Sequence, residues 1–478
     1  MPQTHSKNRG PLRTFAALLA LASVVAIGDS SSEVWLARMG RLSLDVRGQR
    51  LDEAESDALT KRLDRETPIK VYESVLDAWM TRAFFRRLAM QSFATDRARS
   101  RFLGTLTRMH DDTGEVVYAL PEDAAVGPCR TAERRSVRPW WAVGRAVKIC
   151  SASYGPERSF DEVGYCAGQA EPTVPTPRRP RCGCGPFLIG CLPPDDEGAL
   201  ADRVDADASA EVIETATDIL ATGRPFDEIL TTSTTWQTGL VEMLYARREL
   251  IGDLARVPYT PEIEQRWAAK LAKIEINAPG HWVKREGVYT GAGLYLTTPA
   301  SEATFPTFRV QMFFTEWSFL CVMFSGVNVD RDSLLAAVDK SHGNLRSLKV
   351  HDSPMRSQVG CSGCHAPMDF GAAFLVGLTT PLYGASPTNE RATGKLYVKG
   401  ANDYRGEGVG FSGLGRLITA QPEFETCAVD RAFGLTGTTG GQALKQELLS
   451  EFQTNHHSLG PIVRRVLLSD AYIAPKRK

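Results

Sequence analysis

The segment Cys361-Ser362-Gly363-Cys364-His365 is the stretch from which the rest of the chain is best interpreted. Two cysteines three positions apart, followed directly by a histidine, form the C-x-x-C-H pattern that attaches haem c. On a short helical turn the two thiols reach the two vinyl groups of one porphyrin, and the imidazole is held over the iron. The pattern therefore predicts covalent haem c on Cys361 and Cys364, with His365 as the proximal iron ligand.

Other roles for this C-x-x-C pair stay open at the level of sequence. A thioredoxin-like redox motif requires a strand-to-helix context. Residues 357–360 before the pattern and 366–369 after it do not show that context. A structural disulfide and a zinc knuckle are the remaining alternatives.

The second axial ligand of the iron is less clearly indicated. Small cytochromes c use a methionine well downstream of the motif, but no methionine follows Met368 in this chain. Met368 itself is too close to His365 and is expected on the proximal side or in the core. The favoured distal ligands are His351 or Met355, with an open or water-filled position as the alternative. The histidines downstream of the motif are His456 and His457.

The N-terminus has the features of a signal peptide over residues 1–28. Lys7, Arg9 and Arg13 form a basic region, and an apolar run follows over 15–27. The run is short for a membrane span, which needs about 20 apolar residues. We therefore expect a periplasmic or otherwise exported protein. An uncleaved signal anchor is the alternative, and membrane association is expected only in that case.

The ten cysteines are informative once export is accepted. In an oxidising compartment, six cysteines within 129–191 predict a disulfide framework with 15 possible connectivities. Cys321 and Cys427 are expected to form a longer-range bridge. The rival interpretation of the cluster is a metal site made of Cys182, Cys184 and Cys191, although C-x-C is a weak zinc signal.

Hydrophobic periodicity predicts a mainly α protein of multi-helical domains with a disulfide-pinned, loop-rich insertion. Residues 308–324 form an apolar run around Phe313, Phe314 and Trp317, interpreted as core. Loops are expected over 112–198 and 380–412. Helices are expected over 52–64, 70–93, 199–222, 236–256, 424–434, 441–454 and 459–469.

Length and composition suggest several domains and no general attraction to nucleic acid. The formal net charge of the 478 residues is zero, so a polyanionic partner is not indicated. The predicted divisions, in chain order, are a signal peptide at 1–28, an N-terminal helical domain at 29–111, a cysteine-rich insertion at 112–198, a helical domain at 199–300, a haem c-binding domain at 301–412 and a C-terminal helical domain at 413–478.

Residues 361–371, C-S-G-C-H-A-P-M-D-F-G, resemble the C-x-x-C-H-x-x-M/I-D-P-x-G signature of planctomycete-type cytochrome c proteins, which are built from domains of unknown function. Residues 41–48 (R-L-S-L-D-V-R-G) and 224–230 (R-P-F-D-E-I-L) are similar to two further elements of that family. The tail over 424–473 looks like its C-terminal helical domain. Phe370 stands where the family usually has proline.

Together these patterns predict an exported monohaem protein that transfers single electrons to or from a redox partner protein. A disulfide-stabilised binding or assembly protein, with structural or ligand-sensing haem, is the first alternative. A haem peroxidase or oxidase is the second, and any enzymatic activity would then be that of a haem-dependent oxidoreductase. The sequence does not identify the donor, the acceptor or a substrate.

Overall fold

The computed structural model describes residues 31–93, 104–125, 127–154, 183–194, 200–254, 260–284, 312, 315–322, 368, 370–371, 374, 393–398, 403–438 and 440–473. The predicted signal peptide lies outside these residues. The chain divides into two compact units, Met1–Phe84 and Phe85–Lys478. The described residues are mainly helical with several short strands, so the mainly α class is confirmed in this broad form.

The N-terminal unit contains α1 Ser32–Arg47, α2 Glu53–Leu63 and α3 Pro68–Trp79. α1 ends at Gly48, whose φ of 75° is a left-handed conformation that glycine adopts at little cost. Asp52 and Glu55 form a capping box at the start of α2, in which each side chain accepts a hydrogen bond from the other residue's backbone N–H. Arg47 donates hydrogen bonds to both carboxylate oxygens of Glu55 and so ties α1 to α2.

The helix expected over 70–93 is two helices in the structure, α3 and α4 Arg82–Phe93. The chain leaves the helical conformation at Met80, where ψ is 58°. Within the N-terminal unit, Trp35 and Tyr72 pack edge to face with their ring centroids 6.0 Å apart. The guanidinium of Arg47 lies over the Trp79 ring, 4.2 Å from its centroid.

A four-stranded sheet occupies much of the region for which loops are expected. Its strands, in the order β2-β3-β5-β4, are β2 Thr107–His110, β3 Val116–Ala119, β4 Arg134–Val137 and β5 Val147–Cys150. Asp111 closes the β2–β3 hairpin, because its carboxylate accepts hydrogen bonds from the backbone N–H groups of Thr113 and Glu115. The expectation of loops is wrong for the residues of β3, β4 and β5. The sequence did not reveal these strands because four residues are too few to show a clear period of two.

Two disulfides hold this sheet region together, so the disulfide part of the prediction is confirmed for these pairs. Cys129 bonds to Cys150 at the end of β5, and Cys184 bonds to Cys191. Cys191 begins β6 Cys191–Leu192, which pairs in parallel with β1 Gly104–Thr105. Two short helices also lie here, α5 Pro121–Ala124 and α6 Ser151–Tyr154.

The sheet region shares a hydrophobic core with the helices that follow it. Trp140 is fully buried, and its indole N–H donates a 2.9 Å hydrogen bond to the carbonyl of Cys191. The same core contains Val204, Leu244 and Trp267, which lie on helices that follow the sheet region in the chain. The elements of this region are α7 Leu200–Ala221, α8 Glu228–Thr231, β7 Thr234–Gln237, α9 Gly239–Leu254, α10 Pro261–Leu271 and β8 His281–Lys284.

Two of these helices match predicted ones, and their ends follow from local chemistry. α7 and α9 fall within the expected ranges 199–222 and 236–256. α10 begins with Pro261 in its first turn, where a missing N–H costs nothing, and the Thr260 side chain accepts from the backbone N–H of Ile263. β7 and β8 form an antiparallel pair in which Trp236 lies opposite Trp282.

The C-terminal part confirms the three predicted tail helices and adds elements that were not expected. Within the range expected to be loops, β9 Thr393–Tyr397 pairs antiparallel with β10 Tyr404–Val409. The expectation of loops is therefore wrong for the residues of these two strands. The helices are α12 Gly410–Thr419, α13 Pro422–Leu435, α14 Gln442–Thr454, α15 Leu459–Leu468 and α16 Asp470–Ile473.

The stretch 224–230 connects α7 to these tail helices. Phe226 stacks on Phe424 of α13 with the ring centroids 5.6 Å apart, and its backbone N–H donates to the carbonyl of His457. Arg224 bonds to Asp218 and Glu228, which fixes the turn between α7 and α8. None of the described helices combines the length and the apolar character required to cross a bilayer.

Candidate functional site

The predicted haem-attachment residues Cys361, Cys364 and His365 lie outside the described residues, as do the favoured distal ligands His351 and Met355. Their assignment therefore remains a prediction from the sequence. The structure does describe residues that follow the motif closely in the chain, together with the elements against which they pack. We call Met368, Phe370, Gly371 and Phe374 the anchor segment.

The anchor segment is held against the β9–β10 hairpin by aromatic packing. Phe370 is buried, and its ring centroid lies 5.3 Å from that of Tyr397 on β9. Tyr397 in turn packs on Tyr404 of β10, with the centroids 5.5 Å apart. The Lys395 ammonium is 5.8 Å from the Phe370 ring centroid. Phe370, which departs from the family pattern, is thus a core residue.

Glycines allow the anchor segment to approach its neighbours closely. A Cβ atom on Gly371 would stand 2.6 Å from the Cε atom of Met312, so Met312 packs directly on the glycine backbone. Phe374 is fully buried, and a Cβ atom on Gly394 of β9 would stand 2.3 Å from its ring. A Cβ atom on Gly413 of α12 would meet the same ring at 3.8 Å. The chain is therefore fixed within nine residues after His365.

Residues 315–320 form a helix, α11, that buries polar as well as apolar side chains. Glu316 is 1% exposed, whereas its neighbour Trp317 is 41% exposed. The expectation that Trp317 belongs to the core is wrong. Thr315 and Ser318 are buried as well, so the polar residues of α11 face inward and its largest aromatic side chain faces solvent.

Glu316 has an unusual electrostatic environment. Among the described residues, its Oε2 atom has no hydrogen-bond partner although it is buried. Burial raises the pKa of the Glu316 carboxyl well above its ordinary value, because a charged carboxylate loses its hydration there. In its protonated form a carboxyl can donate as well as accept a hydrogen bond.

A disulfide and an arginine fix the position of α11 against α13. Cys321, directly after α11, bonds to Cys427 of α13, which confirms the predicted long-range bridge. The Arg431 guanidinium, also on α13, donates to the backbone carbonyl of Trp317. The disulfide and the Arg431 hydrogen bond together fix the orientation of α11, and in that orientation Glu316 is buried.

The described residues that follow the motif in the chain lie in an apolar environment. Phe370 and Phe374, which follow the motif in the chain, are buried, Met312 packs on Gly371, and Phe319 and Leu320 on α11 are buried too. A porphyrin presents a large apolar face with a few polar groups at its edge. An apolar environment that contains one carboxyl without a described partner suits such a group. Cys361, Cys364 and His365 would hold it.

The downstream histidines have structural contacts in the tail helices. His456 and His457 have positive φ angles of 51° and 58°, in the turn between α14 and α15. The Nε2 atom of His457 is 3.1 Å from Glu425 Oε1, and its ring stacks on Phe452 with centroids 5.2 Å apart. These contacts give His457 a role in packing α13 against α14.

The rival metal site in the cysteine cluster is not supported. Its predicted ligands Cys184 and Cys191 bond to each other, so neither is a free thiolate. Among the residues that the structure describes, Cys129, Glu133 and Cys150 lie close enough together to hold a metal ion. Cys129 and Cys150 are likewise joined as a disulfide, which removes the thiolates that zinc requires.

Glu211 is a second buried glutamate, and unlike Glu316 it has hydrogen-bond partners among the described residues. Glu211 of α7 accepts hydrogen bonds from Thr235 at 2.5 Å and from the Gln237 amide at 3.1 Å. The Tyr245 hydroxyl donates to it at 2.9 Å. These donors come from β7 and α9, so the carboxylate joins three elements of the fold. Glu211 is best understood as structural.

Sequence reasoning missed both buried glutamates. Glu316 carried a usable signal, because it is the single acidic residue in the apolar run 308–324. Comparison with protein-family models, with curated proteins and with solved structures found no match for this chain. The chemistry of the site therefore depends on the chain's own residues.

Proposed function

We propose that this chain is an exported monohaem c-type protein that transfers single electrons. The observation that carries the proposal is the C-x-x-C-H pattern of Cys361, Cys364 and His365. When bound there, haem c supplies reversible one-electron chemistry at its iron. The two cysteines hold the group covalently, so it is not lost between encounters with a redox partner protein.

The disulfides support the export that haem c attachment requires. Cys129–Cys150, Cys184–Cys191 and Cys321–Cys427 join residues of the described chain. Stable disulfides are typical of the periplasm and other oxidising compartments. The basic and apolar N-terminal segment fits the same destination. Two independent features therefore point to the compartment in which c-type haem is attached.

The anchor segment supports a positioning role for the fold. Phe370 and Phe374 are buried, and Met312 packs directly on Gly371. These contacts limit how far the chain behind His365 can move. A haem ligand must be held firmly for electron transfer, because reorganisation of the site slows each transfer. The packing of Phe370, Gly371 and Phe374, which follow the motif in the chain, supports such a role.

The first test is attachment of haem to the mature, processed protein expressed with haem-maturation factors. We expect a Soret band and a pyridine haemochrome spectrum typical of c-type haem. The double variant Cys361→Ala/Cys364→Ala should lose the haem on acid–acetone extraction. His365→Ala should lose the low-spin spectrum, whereas the matched control His457→Gln should keep it. A processed sample without Soret absorbance or iron would refute the proposal.

The second test separates electron transfer from the alternatives. A low-spin reduced spectrum that is unchanged by carbon monoxide supports electron transfer by a six-coordinate haem. A high-spin species that binds carbon monoxide or reacts with peroxide supports ligand sensing or oxidoreductase chemistry instead. The variants His351→Ala and Met355→Ala then test the distal ligand, because losing that ligand should make the reduced iron bind carbon monoxide.

A further inference from the structure

A carboxylate lies beside one of the disulfides of the four-stranded sheet. The sulfur atoms of Cys129 and Cys150 and a carboxylate oxygen of Glu133 all lie within 4.8 Å of one another. Both cysteines are buried, in a small apolar cluster with Val117 and Ala119, whereas Glu133 is exposed. The three side chains therefore meet where the apolar interior of the sheet reaches solvent, and an ion from solution could enter beside Glu133.

Strand pairing and backbone contacts bring these side chains together. In the antiparallel pairing of β4 with β5, Cys150 lies opposite Arg134, the residue after Glu133. The Glu133 carboxylate accepts a 3.2 Å hydrogen bond from the backbone N–H of Arg130. The Sγ atom of Cys129 lies 3.9 Å from the Glu133 carbonyl oxygen. None of these contacts is the disulfide bond itself, so we expect the three side chains to stay close when that bond is reduced.

Two thiolates and one carboxylate are a ligand set that suits zinc. In tetrahedral coordination, with Zn–S about 2.3 Å and Zn–O about 2.0–2.2 Å, such ligand atoms lie roughly 3.6–3.8 Å apart. Small side-chain rotations reach that spacing from atoms already within 4.8 Å of one another. The fourth position would face solvent and take water, as at open zinc sites. The hydrogen bond from Arg130 orients the Glu133 carboxylate, as ligating carboxylates require.

We propose that reduction of the Cys129–Cys150 disulfide creates a zinc site made of Cys129, Glu133, Cys150 and one water molecule. A dithiol reductant gives two electrons and two protons to the disulfide and becomes a disulfide itself. The two cysteine thiols then release two protons as Zn²⁺ binds their thiolates. The reverse exchange re-forms the bond and releases the ion. The inference is independent of the haem proposal, since none of these ligands belongs to the C-x-x-C-H motif.

The test is whether zinc protects these two cysteines from alkylation in the full-length mature protein. The protein is reduced with a phosphine, freed of it under argon, and treated with iodoacetamide with or without Zn²⁺. Peptide mass spectrometry reports the alkylation of each cysteine. We expect zinc to protect Cys129 and Cys150 and to leave the alkylation of Cys184 and Cys191 unchanged. These internal controls form the other disulfide of the sheet region, which has no carboxylate ligand beside it among the described residues.

The role of Glu133 is tested by the zinc concentration that half-protects Cys129 and Cys150. In Glu133→Gln this concentration should rise by roughly 10–100-fold, at least the effect of losing an outer-shell partner of a metal ligand. The matched control Glu115→Gln removes a carboxylate that is exposed and ion-paired with Lys148, and it should leave the concentration unchanged. Both variants change exposed side chains, so folding is not at risk.

A spectrum provides a second, independent measurement. Co²⁺ added to the reduced protein should give the thiolate-to-metal charge-transfer band of a tetrahedral sulfur site, and the band should disappear in Cys129→Ser/Cys150→Ser. The inference is wrong if zinc does not protect the two cysteines, if it protects Cys184 and Cys191 equally, or if Glu133→Gln and Glu115→Gln behave alike. A reduced sheet region that unfolds would also appear as a lack of protection and would count against it.

Discussion

Replacing Gly394 with alanine should destabilise the fold by forcing the anchor segment away from β9. The added Cβ atom would stand 2.3, 2.4 and 2.6 Å from three ring carbons of Phe374, where ordinary contacts begin at 3.4 Å. The ring has little room to retreat, since Phe374 is fully buried and faces Gly413 on α12. Overpacking of this kind costs about 1–3 kcal/mol.

A double-mutant cycle measures how much of that cost comes from the Phe374 ring. Phe374→Ala alone should cost about 3–5 kcal/mol through the cavity it leaves. In that background Gly394→Ala meets no ring, so it should cost little more. The expected coupling between the two sites is therefore about 1–3 kcal/mol, within the range measured for residues in contact. The assay is guanidinium unfolding with the disulfides intact.

Gly434→Ala provides a matched control with the opposite sign. Gly434 lies in α13, and a Cβ atom there would have nothing within 4 Å. Alanine at an exposed helical position is better than glycine by roughly 0.5–1 kcal/mol, so this variant should be slightly more stable. If Gly394→Ala were as stable as Gly434→Ala, or if its cost were the same with and without the Phe374 ring, the proposed packing of the anchor segment would be wrong.

Two further predictions concern stability. The Cys321–Cys427 bridge spans 106 residues, so Cys321→Ser/Cys427→Ser should lower the free energy of unfolding by about 2–5 kcal/mol, measured by guanidinium unfolding under oxidising conditions. The hydrogen bonds from Arg47 lower the pKa of Glu55 to about 2, below the 4.5 of a free glutamate. The stabilisation is therefore complete above pH 4.5 and is lost as the pH falls toward 2; because solvent screens the pair, we expect about 1 kcal/mol. The difference between Glu55→Gln and the unsubstituted protein should shrink over that interval, and a constant difference would contradict the assignment.

Most of the helices were predicted from apolar periodicity, but α1, α10 and α12 were not. Local end signals are present in the sequence as well. Asp52 and Glu55, three positions apart, form the capping box that starts α2. Pro261 and Pro422 each stand in the first turn of a helix, where proline is favoured. The break at Met80 between α3 and α4 was not predicted, because apolar periodicity continues across it. Apolar periodicity thus predicted the helical region over 70–93 but not the break between α3 and α4.

The strands were missed because their pairing is not local. β1 has two residues, and its parallel partner β6 begins at Cys191, far along the chain. A two-residue strand has no detectable periodicity, so only the fold reveals it. The Cys321–Cys427 bridge was predicted correctly for a different reason, since these were the two isolated cysteines in a chain expected to be exported. The number and position of the cysteines therefore predicted this bridge, whereas hydrophobic periodicity did not predict β1 or β6.

In the candidate site, too, the contiguous motif could be recognised from the sequence, whereas the contacts between distant segments could not. The C-x-x-C-H pattern is contiguous, so the attachment residues can be named without a structure. The contact between Met312 and Gly371 joins two segments that nothing in the sequence relates. A Cβ atom at position 371 would displace the Met312 side chain from the place it occupies against the glycine. The motif therefore predicts the haem-attachment residues, whereas the contacts of the residues that follow it, such as Gly371, are known only from the fold.

The orientation of α11 is the strongest case of fold overriding residue preference. A hydrophobicity argument places Trp317 inside and Glu316 outside, and the structure has them the other way round. The orientation is imposed by α13, through the disulfide to Cys427 and the Arg431 bond to the Trp317 carbonyl. A buried carboxyl without a described partner is costly unless another group meets it. Glu316 is therefore a buried carboxyl whose Oε2 atom has no hydrogen-bond partner in the described part of the fold.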